Sequence, residues 1–344
     1  MLYSLQAIRA FAAWVVVCHH FMQIFFDFHA SGPVGALLAE RGAVGVDIFF
    51  VISGLVIYLS TRDKDIVPSQ FLLNRALRII PAYWFYTALM ALLLFGASRW
   101  MPHQVFDWQH LLLSLLFIPA ENPGGYGMYP TLNVGWTLNF EMFFYLLFGL
   151  AFMVRRRLHL LLVTAALLLV SEVLGRLGVV SHFYNNGIIY EFLLGIGLGV
   201  LYRRGLIREG FWLPLALLAL AGFALYRLDA SLRLLHWGLP SALVVLAFIS
   251  LEPYFRGNQL LKMLGDCSYS VYLIHVLVLH AGWFVSERFA LNPYLVFAFC
   301  VPSIGLMSWL SYQWLERGLY QRMKAWIDAR SAQQPAWELS RVKC

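Results

Sequence analysis

Apolar runs of membrane-crossing length recur along the whole chain, and no other feature limits its fold as much. They lie near residues 5–27, 44–60, 78–97, 132–153, 158–175, 187–202, 211–226, 237–251, 268–286 and 294–315. Each holds roughly 15 to 25 largely apolar residues, close to what a helix rising about 1.5 Å per residue needs to cross a hydrocarbon core of ~30 Å. The spans at 158, 211 and 237 are short. The run LLLSLLFIP at 111–119 reads instead as a re-entrant or interfacial piece. Composition agrees: 61% of the 344 residues are hydrophobic and only 12% charged, too few for the surface of a soluble domain of this size. The expected fold is an all-α polytopic membrane protein with about ten transmembrane helices.

Basic residues set the expected orientation. With the spans laid end to end and the N-terminus inside, 19 of the 25 lysines and arginines fall on the cytoplasmic side, leaving Arg41, Arg99, Arg176, Arg227, Arg233 and Arg288 on the other. Both termini are therefore expected in the cytoplasm. The net charge of +7 is mostly this topology signal, and no basic soluble domain is present to support nucleic-acid binding. The first apolar run is longer than the core of a secretory signal, lacks a basic stretch ahead of it and shows no small-residue cleavage site, so it is expected to remain as the first helix. Cys18, Cys267 and Cys300 lie in or at spans and Cys344 ends the chain, so no spacing points to disulfides or a metal site. Gly195, Gly197 and Gly199 in LLGIGLGV read as positions of close helix packing.

The first span holds unusual residues: Arg9 near one end, and His19 and His20 deep inside. Eleven residues separate Arg9 from His20, which returns the helix to within ~20° of the same face about 16 Å further along. His19 lies ~80° off that stripe. Ionisable groups inside a span usually face the bundle interior or a water-filled path.

Other spans add polar positions. GAVGVDIFFVISG carries Asp47; LLNRALRIIPAYW places Arg75 and Arg78 on one face where a helix enters the membrane. NVGWTLNFEMFFY sets Asn133, Thr137 and Glu141 at successive i+4 positions, and DCSYSVYLIH adds Ser268, Tyr272 and His275. Together they describe a polar chamber within the bundle.

Arg followed after ten residues by His, then GVDIFFVISG, RALRIIPAYW, WTLNFEMFFY and SYSVYLIH, in this order between residue 5 and about 320, resemble the acyltransferase 3 family of integral-membrane acyltransferases. The resemblance implies transfer of an acyl group, commonly acetyl from acetyl-CoA, to a sugar hydroxyl of a bacterial surface polysaccharide such as lipopolysaccharide O-antigen or exopolysaccharide. It implies residence in the bacterial inner membrane, with an acyl-CoA, a free or lipid-linked glycan and membrane lipids as partners, and no nucleic acid or metal. Residues 1–316 would form the transmembrane acyltransferase domain and 317–344 a short basic cytoplasmic tail.

His20 would then be the catalytic base, with Asp47 or Glu141 holding its other ring nitrogen. Arg9, Arg75 and Arg78 would face the phosphates of coenzyme A, because guanidinium offers forked, charge-assisted donors to phosphate oxygens. An acyl-histidine intermediate fits the same residues as direct transfer. The main rival, a secondary transporter or flippase for an anionic or glycan substrate, would call for an internal repeat or paired broken helices, and neither is visible in the sequence.

Overall fold

The computed structural model describes residues 2–29, 32–97, 101, 104–229 and 231–333. Arg99, Arg341, Lys343 and Cys344, counted above, lie outside the described residues. The described residues are helical or irregular, without a strand. This is the solution lipid demands, since a helix satisfies its own backbone donors and acceptors where no water can.

The chain begins with α1 (Tyr3–Phe26), α2 (Pro33–Arg41), α3 (Val44–Thr61), α4 (Pro68–Gly96), α5 (Trp108–Leu115), α6 (Trp136–Ala151) and α7 (His159–Leu168). It continues with α8 (Glu191–Arg203), α9 (Trp212–Arg227), α10 (Leu239–Ser250), α11 (Glu252–Phe255), α12 (Gln259–Asp266), α13 (Ser268–Phe289), α14 (Pro293–Ser311) and α15 (Tyr320–Gln333). Among the described residues, seven helical stretches are long and apolar enough to cross a membrane: Tyr3–Phe26, Val44–Thr61, Pro68–Gly96, Asn133–Ala151, Arg156–Leu174, Ser268–Phe289 and Pro293–Ile327. The other three segments marked in the sequence are also helical but shorter, at Glu191–Arg203, Trp212–Arg227 and Leu234–Ser250. The first five residues of the 111–119 run end the eight-residue α5, which packs on α4 through Tyr83 and Trp84 donating to the Ser114 and Leu115 carbonyls at 3.0 and 2.9 Å; the rest of the run leaves the helix.

Helix α3 is the axis of the bundle, with 72% of its apolar window buried against 17% for the stretch containing α7. Small residues let it sit so deep. A Cβ at Gly195 of α8 would lie 1.9 Å from the Val51 carbonyl oxygen, and one at Gly54 of α3 would lie 2.0 Å from that of Phe192. These two helices therefore touch backbone to backbone, as the small-residue reading of LLGIGLGV required. Gly199 also faces α3, against Tyr58, whereas Gly197 points into open space. Helix α1 crosses α3 in the same way, a Cβ at Gly45 falling 2.4 Å from the Ala12 oxygen. That contact keeps Arg9 and His20 beside the axis.

At the far end of the chain, α14 runs through a π-helical stretch, Tyr312–Leu319, directly into α15. The basic segment from residue 317 thus starts inside a continuous helix.

Candidate active site

Arg9, Arg75 and Arg78 arrive at one cavity of about 110 Å³ from α1 and α4. Its walls also carry Ser53 and Phe49 of α3, Thr137, Glu141 and Tyr145 of α6, and Tyr269 and Tyr272 of α13. Arg9 is only 8% exposed and donates to Gln6 Oε1 at 3.2 Å; Gln6 in turn donates to Asp266 Oδ1 at 2.5 Å. Arg75 donates to Ser60 Oγ at 3.3 Å and stacks over the rings of Phe71 and Tyr145 at 5.4 and 5.6 Å. Among the described residues, none of these three guanidiniums forms an ion pair.

Glu141 is the one carboxylate in the lining. It accepts from the Tyr145 hydroxyl and from Ser53 Oγ, the latter at 3.3 Å. The polar stripe read from the sequence does face this space at Thr137 and Glu141, and Tyr145 continues it by one more i+4 step. That continuation is a local i+4 relation legible in the sequence. Asn133 turns aside, bonding to the Val134 amide at 2.9 Å. Thr137 is joined to the Tyr272 hydroxyl at 2.9 Å, and Tyr272 also donates to the Val134 carbonyl at 2.9 Å.

His20 lies further along α1 and is not part of the cavity lining. Its Nδ1 sits 3.0 Å from the Val16 carbonyl and 3.1 Å from Nε2 of His275 on α13. His275 is fully buried, its Nδ1 3.1 Å from the Val271 carbonyl. The Tyr272 ring, which does line the cavity, stands 6.0 Å from the His275 ring, so one continuous run of side chains leads from the arginines to His20. His19 faces elsewhere, its Nδ1 3.1 Å from the Leu38 carbonyl of α2. The two adjacent histidines are thus divided between different neighbouring helices, in keeping with the 100° step between them.

Neither carboxylate named in the sequence reading holds His20; among the described residues no carboxylate hydrogen-bonds its ring. Asp47 is completely buried and takes both donors of Arg233, Nε at 3.0 Å and Nη2 at 2.8 Å. The Arg233 guanidinium also stands 5.4 Å over the Trp237 ring, and the buried Glu191 of α8 interacts electrostatically with both Asp47 and Arg233. In the sequence Arg233 counted only as a loop cation. Its partner lies 186 residues away, and no local pattern announces such a pairing.

Residues 2–312 match the model of a protein family described as an acyltransferase domain. The chain is 34% identical over 312 residues to the exopolysaccharide production protein ExoZ of Rhizobium meliloti, covering 87% of this chain and 95% of that relative. It is 25% identical to the acyltransferase MdmB of Streptomyces mycarofaciens, over 81% of this chain and 79% of the relative. Nodulation protein 10 of Rhizobium leguminosarum bv. viciae is 27% identical over 81% of this chain and 84% of its own length. No solved structure matches.

Proposed function

The chain belongs to the acyltransferase 3 family and is a membrane acyltransferase, and from that premise we propose that it moves a short acyl group, acetyl in the first instance, from acyl-CoA to a sugar hydroxyl of a bacterial exopolysaccharide or its lipid-linked precursor. One observation carries the donor: Arg9, Arg75 and Arg78, none of them in an ion pair among the described residues, converge on one cavity whose lining holds Glu141, while the carboxylates of Glu316 and Asp266 act on Arg9 from outside that lining. Guanidiniums held in a partly buried cavity without a direct ion-pair contact favour an anion that reaches them. Coenzyme A brings several phosphate charges, and guanidinium forks suit phosphate oxygens. Its extended pantetheine arm suits the ~16 Å between Arg9 and His20 along α1. The sugar acceptor is supported by the relative named for exopolysaccharide production.

In this reading His20 accepts the proton of the sugar hydroxyl as its oxygen attacks the thioester carbonyl. The C–S bond breaks, and the imidazolium returns its proton to the departing coenzyme A thiolate. Glu141 offsets part of the arginine charge and, with Tyr145 and Ser53, shapes the cavity wall. Replacing Arg75 or Arg78 by Ala is expected to weaken acetyl-CoA binding about ten- to a hundred-fold each, the 1.5–3 kcal/mol of a charge-assisted contact. Calorimetric titration of the purified variants checks this; unchanged donor affinity in a folded double variant removes both residues from the donor site.

The 19-to-6 charge split supports both termini in the cytoplasm with the arginine cavity opening to that side, and the family supports a membrane protein, in this reading of the bacterial inner membrane. Reporter fusions at residues 120 and 230 should then read periplasmic, and those at 157 and 344 cytoplasmic. A periplasmic C-terminus overturns the ten-span arrangement.

A further inference from the structure

The hydrogen positions on the two facing imidazoles follow from their neighbours. A carbonyl oxygen only accepts, so His275 Nδ1, 3.1 Å from the Val271 oxygen, must carry its hydrogen. A neutral His275 then has a bare Nε2, and this is the atom 3.1 Å from His20 Nδ1. The other neighbour of His20 Nδ1, the Val16 oxygen at 3.0 Å, is also an acceptor. Both contacts require the His20 hydrogen on Nδ1, which leaves His20 Nε2 with a free lone pair.

We propose that His275 is the positioning residue of His20: its Nε2 accepts the His20 Nδ1 hydrogen, fixes the tautomer that exposes a basic Nε2, and steadies the imidazolium formed when that Nε2 takes the sugar proton. This rests on the reading of His20 as the base. The Val16 carbonyl, on the same helix as His20, shares the Nδ1 hydrogen and favours the same tautomer, but it sets only how the ring leans on α1 and offers no contact from a second helix. His275 comes from α13 and pins the ring from a second direction. It stands where a carboxylate stands in many catalytic histidine arrangements. At membrane depth a neutral partner is the cheaper choice, because a carboxylate there would be a buried charge whenever His20 is neutral. Asp47, which the sequence offered for this place, is already committed to Arg233. The other titratable rings around the pair are His19, 5.4 Å from His20, Tyr272, 6.0 Å from His275, and His280, whose Nδ1 is bonded to the Val276 carbonyl at 2.7 Å. None is a fixed charge that would take over the role.

The bond from His20 to His275 becomes charge-assisted only once His20 is protonated, so it strengthens as the reaction proceeds. Such an interaction acts on kcat and leaves ground-state binding alone.

The test uses the full-length protein in detergent or nanodiscs, with acetyl-CoA as donor and alkali-deacylated exopolysaccharide as acceptor. His275→Leu fills similar space without an acceptor, and His275→Gln places an amide oxygen near the Nε2 position. Leu is expected to lower kcat roughly ten- to a hundred-fold with acetyl-CoA affinity and acceptor KM nearly unchanged, and Gln to recover most of that loss. Should Leu fail to fold, His275→Asn, polar but too short to reach His20, takes its place with the same expectation. Wild-type kcat in Leu or Asn, or a Gln variant as impaired as they are, overturns the proposal. His20→Ala run alongside separates the two levels. If it is inactive while His275→Leu is fully active, only the role of His275 falls. If His20→Ala is itself active, the base assignment falls and the positioning role with it.

Discussion

Replacing His20 with alanine is expected to lower acyl transfer by about two to four orders of magnitude, the usual worth of a positioned general base. Acetyl-CoA binding should survive, because Arg9 lies about three helical turns away along α1 and Arg75 and Arg78 stand on α4. His19→Ala is the matched control. Its imidazole faces α2, bonded to the Leu38 carbonyl, and Gly42 packs against its Cβ, so its loss loosens the seat of α2 and leaves substantial activity. Transfer from radiolabelled acetyl-CoA, with donor binding measured in parallel, decides the matter. Equal loss in the two variants would mean that both rings act in the reaction or that neither does, and full activity in His20→Ala would sink the base assignment.

The second large effect concerns stability. Asp47→Ala leaves Arg233 facing a buried site with no counter-charge except Glu191, and Arg233→Met leaves two buried carboxyls with no cation. Breaking one side of a buried pair costs about 3–5 kcal/mol, whereas replacing both sides with apolar residues of similar volume is often close to neutral. The Arg233 side chain keeps 22% of its exposure, which places the expected cost toward the lower end of that range. Each single variant should therefore melt well below the wild type, and Asp47→Leu combined with Arg233→Met should recover much of the loss. Activity per folded molecule should be retained, since neither residue touches His20. An Asp47 variant that melts normally yet fails to transfer would return Asp47 to the reacting centre.

The sequence and the structure diverge at Asp47 for a definable reason. Its position in the first turn of α3 was readable, but the direction of its side chain was not. With the helix axis fixed, the carboxylate points toward the segment that leads into α10, where it meets Arg233. The sequence marked His275 as a polar residue of the bundle without giving it a partner. Its proximity to His20 depends on α13 lying against α1, a contact between residues 255 positions apart. Tyr145 is the opposite case, since its i+4 relation to Glu141 is a local fact that needed no structure.

Properties set by composition and by helical period were decided by the sequence alone: a helical membrane protein, the stripe joining Arg9 to His20, the turn of His19 away from it, and the glycines that bring α8 onto α3. Each follows from a 1.5 Å rise and a 100° step within one element, or from the absence of a Cβ. Only the tertiary structure decided which polar groups meet: three arginines around the cavity that Glu141 lines, Asp47 with Arg233, and His20 with His275 in the place where a carboxylate was expected. In a membrane bundle every long helix is apolar enough to lie against any other, so hydrophobic pattern does not select partners. The few buried polar groups do so, through hydrogen bonds that exist only once the helices are side by side.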